Sequence, residues 1–134
     1  MVEFNEQKIK DITEQYKIAD IFVFGSRVDG FSREDSDLDV GVRFEIGLPK
    51  AQQRGKIYGE LFADLNQCFL GQKLDLVFID EAPLHFKYEI FTKGKMIFSK
   101  NLEKSLDFQE YIFNLYRDQK YFIDEFFKGV LEST

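Results

Sequence analysis

Residues 37–44 read Asp-Leu-Asp-Val-Gly-Val-Arg-Phe, an alternation that suits an extended strand and fits a helical period poorly. Leu38, Val40 and Val42 then share one face, and Asp37, Asp39 and Gly41 share the other. Two further short apolar runs, Ile21–Phe24 ending at Gly25 and Leu74–Ile79, have the length and β-branched or aromatic content of buried strands.

Helical spacing fills the intervals. Residues 3–18 place Phe4, Ile9, Ile12 and Tyr16 on one broad face. Pro49 suits the first turn of a helix through about residue 67, with Ile57, Leu61, Phe62, Leu65 and Cys68 apolar and Gly71 ending it. Pro83 opens another helix that stops near Gly94, followed by a short edge strand over Lys95–Phe98. A long helical pattern covers 102–131, and the polar stretch Ser26–Ser36 is a loop, or a short helix and a loop. This order predicts one domain over 1–134, a helix-packed sheet of the α/β or α+β class, with strand order left open.

Composition narrows the ligand. The net charge is -6, with 18 basic residues scattered among 24 acidic ones, so a polynucleotide is disfavoured as the main ligand. Cys68 is the one cysteine and His85 the one histidine, which excludes an intramolecular disulfide and His- or Cys-rich metal sites; both read as structural. The N-terminal residues lack the pattern of a secretory signal, and no apolar run approaches a membrane span of roughly 20 residues, so a soluble cytoplasmic protein is expected.

The chemistry lies in three places. Asp37 and Asp39, with Cα atoms roughly 6.5 to 7 Å apart on one strand face, repel unless a cation lies between them. Magnesium fits, because it takes one or two carboxylates together with substrate phosphates. Gly25-Ser26 after a buried strand lets the backbone approach a phosphate, with the Ser26 hydroxyl and the Arg27 charge as further contacts. Asp75 stands inside the apolar run Leu74–Ile79, where an ionised group is expected to need a partner or a metal. Asp80 and Asp35 read as surface or turn residues.

Gly25-Ser26, ten intervening residues, Asp37-Leu38-Asp39 and then Asp75 after a helix together resemble the DNA polymerase β-like nucleotidyltransferase superfamily. The wording Phe24-Gly25-Ser26-Arg27-Val28-Asp29-Gly30 and Ser36-Asp37-Leu38-Asp39 is similar to that of the minimal nucleotidyltransferases (MNT), over roughly residues 15–100. Val28 and Asp29 stand where many relatives carry a small residue and a second arginine. The resemblance implies an α+β fold, a small mixed sheet flanked by helices with a long C-terminal helix. It implies two Mg²⁺ ions roughly 3.5 to 4 Å apart, held by Asp37, Asp39 and Asp75, with ATP as donor and pyrophosphate leaving. Gly25 and Ser26, with Arg27, would grip the β- and γ-phosphates.

Minimal nucleotidyltransferases of this kind pair with a helical HEPN ribonuclease toxin, which the resemblance implies as the partner: the antitoxin transfers AMP to a toxin tyrosine. The acidic charge and the absence of an acceptor-binding domain agree with a protein acceptor. So does the C-terminal helix, where Phe108, Ile112, Leu115, Phe122 and Phe126 form one apolar stripe and Tyr116, Ile123, Phe127 and Leu131 a second. One stripe is expected to pack on the domain and the other to meet a partner or a second copy of the chain. The alternatives are transfer to a small molecule such as an antibiotic, transfer to an RNA end, or a non-catalytic antitoxin that acts by docking alone.

Overall fold

The computed structural model describes residues 3–25 and 37–132. The expected loop or short helix over 26–36, with Ser26, Arg27, Gly30 and Asp35, lies outside the described residues. Helix α1 (Glu6–Tyr16) starts where the Asn5 side chain accepts from the Lys8 amide at 3.1 Å, and it ends at Lys17 in the left-handed conformation. It buries Ile9 and Ile12, with Phe4 and Tyr16 packed on the same core, as their spacing predicts.

Among the described residues four strands form one sheet in the order β3-β2-β1-β4. They are β1 (Ile18–Phe24), β2 (Leu38–Phe44), β3 (Leu74–Phe78) and β4 (Lys95–Ser99). The β1–β2 and β1–β4 pairs are antiparallel and β2–β3 is parallel, so the sheet is mixed and the fold is α+β. Helix α2 (Ala51–Asn66) begins two residues after Pro49, which precedes the Lys50 cap instead of opening the helix. Gly71 does not end that helix: it turns with φ +76° on the way to β3. Ile79 leaves the strand expected to contain it and starts a 3₁₀ turn over Ile79–Glu81.

The sheet is covered on both faces. Ile21, Val23, Leu38, Val40, Val42, Leu74 and Leu76 pack against α1 and α2, whose Leu61 and Leu65 are fully buried, with Cys68 beside them. On the other face Phe22 and Phe24 pack with Ile79 and with Ile90, Phe91 and Ile112. Those last three come from helices α3 (Leu84–Lys93) and α4 (Leu102–Glu132).

Gly41 belongs to this second face and is buried, not solvated. A Cβ there would stand 3.0 Å from Ile79 Cγ1 and 3.2 Å from Phe24 Cε1. Gly41→Val is therefore expected to lower stability by about 1–3 kcal/mol through overpacking, read as a shift of the urea midpoint at constant slope.

Helix α4 departs from the stripe-by-stripe expectation. The two stripes flank a single broad face, and the division runs along the helix axis. In the first half, Phe108 and Ile112 from one stripe and Tyr116 from the other pack on the domain: Phe91 meets Phe108, and Tyr88 stacks on Tyr116 at 4.1 Å. Beyond Tyr116 every described residue is exposed, including Phe122 and Phe126 of one stripe and Ile123 and Phe127 of the other. Since Phe91 contacts Phe108 while Tyr88 contacts Phe113 and Tyr116, α4 runs antiparallel to α3 and passes its N-terminal end.

Candidate active site

The strand register creates the site. Parallel pairing sets Asp39 directly beside Asp75, and antiparallel pairing sets Phe24 beside Asp39. Because these positions share pleat parity, both carboxylates rise from the same face, next to the end of β1. Gly25 follows with φ +93°, a conformation that L side chains resist, and a Cβ there would overlap Asp39 Oδ2. Glycine is thus required twice: once for its backbone angle and once for the space that Asp39 occupies.

These residues line a cleft of about 400 Å³, with Phe24, Gly25, Asp39, Asp75 and Val77 on the sheet side. Phe86, Glu89, Ile90 and Lys93 of α3 form the opposite wall. The α3 residues carried no motif in the sequence; it is the strand order that carries their helix over the carboxylates.

Burial raises the Asp39 carboxyl to about 6, helped by the neighbouring negative charges of Asp75 and Asp37. Such a group favours a proton, or a cation that takes the proton's place. Asp37 stands one position before β2, exposed, and acts on Asp39 through its charge without lining the cleft. Among the described residues no group of three or more His, Cys, Asp or Glu side chains is arranged to hold a metal ion. Asp39 and Asp75, however, offer the hard oxygen pair that suits Mg²⁺, an ion that completes its shell with water and substrate phosphate. The residues present therefore fit the ion.

Two acidic residues do not match their sequence-based reading. Asp75 is exposed on an edge strand, so it does not carry the desolvation penalty expected of an acid in an apolar run. Asp80 is not an ordinary surface residue: its carboxylate accepts the Phe44 amide at 3.0 Å and, largely through burial, its pKa is raised. His85 is exposed and Cys68 buried, as expected.

A family model described as polymerase beta, nucleotidyltransferase matches residues 7–103, most of the chain and all of the cleft. The chain belongs to the polymerase beta nucleotidyltransferase family. No curated protein matches it. Among solved structures, this nucleotidyltransferase resembles a chain of a toxin–antitoxin crystallised with AMP-PNP, at 22% identity and a TM-score of 0.67, covering 95% of this chain and 98% of that one. It also resembles a chain of the MntA–HepT toxin–antitoxin, at 19% identity and a TM-score of 0.63, covering 94% and 96%. A third is a Shewanella oneidensis complex of a tri-AMPylated HEPN toxin with an MNT antitoxin, at 19% identity and a TM-score of 0.63, covering 94% and 95%. At these identities the likeness establishes the fold, which extends over the C-terminal helix as well as the family core.

Proposed function

We propose that this nucleotidyltransferase is an MNT-type antitoxin that transfers AMP from ATP to a tyrosine hydroxyl of a HEPN toxin. The observation that carries the reaction class is the register that sets Asp39 beside Asp75 in a cleft that Gly25 also lines. Membership of the family supports transfer of a nucleotidyl group. The acceptor rests on the AMPylated toxin and the AMP-PNP complex among the structural neighbours.

In this reading Asp39 and Asp75, with Asp37, would hold Mg²⁺, which when bound would neutralise phosphate charge and favour loss of the acceptor proton. Asp75, exposed on the edge strand, is the carboxylate that a bulky acceptor could reach. Gly25 presents backbone to the phosphates, with Ser26 and Arg27 completing the grip. The acceptor oxygen forms a bond to the α-phosphorus as the bond to the pyrophosphate oxygen breaks, and the acceptor proton goes to solvent. The protein's contribution is to position the reactants and to concentrate negative charge where cations are needed.

The exposed aromatic half of α4 and the acidic net charge favour a protein acceptor over an RNA end. The test uses α-labelled ATP, Mg²⁺ and a cognate HEPN protein. Label is expected on a toxin tyrosine, lost when that tyrosine is replaced by phenylalanine and lost when chelator removes the metal. Label that survives the tyrosine replacement overturns the assigned acceptor, and transfer only to antibiotics or RNA ends overturns the antitoxin reading.

A further inference from the structure

We infer that Lys93 is a polyphosphate-binding residue of the cleft, facing the β- or γ-phosphate of the donor; this rests on the nucleotidyltransferase reading of that site. Among the described residues of that lining, three side chains are acidic (Asp39, Asp75 and Glu89) and Lys93 is the one cation. A nucleoside triphosphate adds about four more negative charges, and divalent ions offset only part of that sum. A fixed positive charge from α3 offsets more of that sum, in addition to the contact proposed for Arg27.

Its position is set by packing. Gly94, which caps α3 with its amide donating to Ile90 O at 2.9 Å, lies hard against β1. A Cβ at Gly94 would come 2.5 Å from Ile90 O and 3.1 Å from Val23 O. The last turn of α3 therefore closes on the end of β1, and the preceding residue, Lys93, is held beside Gly25. Lys93 enters no ion pair among the described residues, and Glu89, one turn earlier on the same wall, does not engage it. The ammonium is thus free of ion pairs among the described residues, and Lys93 lines the same cleft as Gly25, Asp39 and Asp75.

A lysine in the last turn of a helix also complements the helix dipole, a role that affects stability and not nucleotide recognition. Calorimetric binding of ATP, ADP and AMP in the presence of Mg²⁺ and without acceptor separates the two roles. Lys93→Met is expected to weaken ATP binding roughly ten- to a hundredfold, as loss of a charge-assisted contact does, while leaving AMP binding within about twofold. Lys93→Arg is expected to retain ATP binding. Equal ATP affinity in Lys93→Met and wild type overturns the proposal, including the case where only the melting temperature falls. An equal loss for AMP overturns it too, since the contact would then lie at the nucleoside end. If wild-type protein binds none of the three nucleotides, the nucleotidyltransferase reading of the cleft fails, and the Lys93 assignment with it.

Discussion

Asp39→Asn is expected to reduce nucleotidyl transfer by on the order of a thousandfold or more and, at the same time, to make the metal-free protein harder to unfold at neutral pH. The two effects have one cause. The folded protein raises this carboxyl from 3.8 to about 6, first by burial and then through Asp75 and Asp37. A group whose pKa is higher in the folded state adds stability below its unfolded value, and that contribution is lost as pH rises through the folded value. In the metal-free protein the loss spans roughly pH 4 to 6. At pH 7 the ionised Asp39 is therefore a liability, of the order of 1 kcal/mol once solvent screening in an open cleft is allowed for. Asparagine removes that liability together with the cation ligand. Melting temperatures in chelator at pH 5 and pH 7.5 test this: the mutant is expected to exceed wild type only at the higher pH. Adding Mg²⁺ is expected to raise the wild-type value more at pH 7.5 than at pH 5, because ion and proton compete. A mutant less stable than wild type at pH 7.5 in chelator would show that the carboxylate is held by contacts that outweigh the repulsion.

The largest loss of stability is expected from a different aspartate. Asp20 is 1% exposed, accepts from Arg43 Nε at 2.6 Å and from the Ser99 hydroxyl at 2.8 Å. The Arg43 guanidinium also lies 4.8 Å from the centre of the Phe108 ring. One carboxylate thus links β1, β2 and β4, and through Arg43 reaches α4. Asp20→Ala leaves a largely buried guanidinium unpaired, a change worth about 3–5 kcal/mol and upwards of roughly 10 °C in melting temperature. Replacing both partners with apolar residues of similar size, as in Asp20→Leu with Arg43→Met, is expected to recover most of the loss. A double mutant as unstable as the single would mean that the three-way network, not the orphaned charge, sets the effect.

Asp20 and Asp75 together show what a lone sequence conveys and where it misleads. An acid within an apolar run must be paired or solvated, and the run Leu74–Ile79 made Asp75 the apparent buried charge. The same reasoning applied at Ile18–Phe24 would have pointed to Asp20, but the visible run begins only at Ile21, because the aspartate itself interrupts it. Burial depends on strand order: β3 is an edge and β1 is interior, and periodicity does not encode neighbours. Pleat parity was legible, so Leu38, Val40 and Val42 face the α1–α2 core as their alternation requires. The pairing of Asp39 with Asp75 was not, since register across a parallel crossover is written nowhere locally. Phe86, Glu89 and Lys93 were invisible for the same reason. On α4 the apolar face was legible, but where the domain beneath it stops was not.

The edge position of β3 separates the fate of the site from that of the fold. This strand has five residues and, among the described residues, hydrogen-bonds to β2 alone as a ladder. Its outer side is secured by a rivet from α2, where the Tyr58 hydroxyl donates to Leu76 O at 2.9 Å, one residue from Asp75. Asp39, by contrast, belongs to a strand with partners on both sides. Local opening therefore reaches Asp75 at a lower free energy than it reaches Asp39 or the central sheet. On warming, edge fraying is therefore expected to take Asp75 out of the cleft while the core stays closed, so that nucleotidyl transfer falls away below the melting temperature.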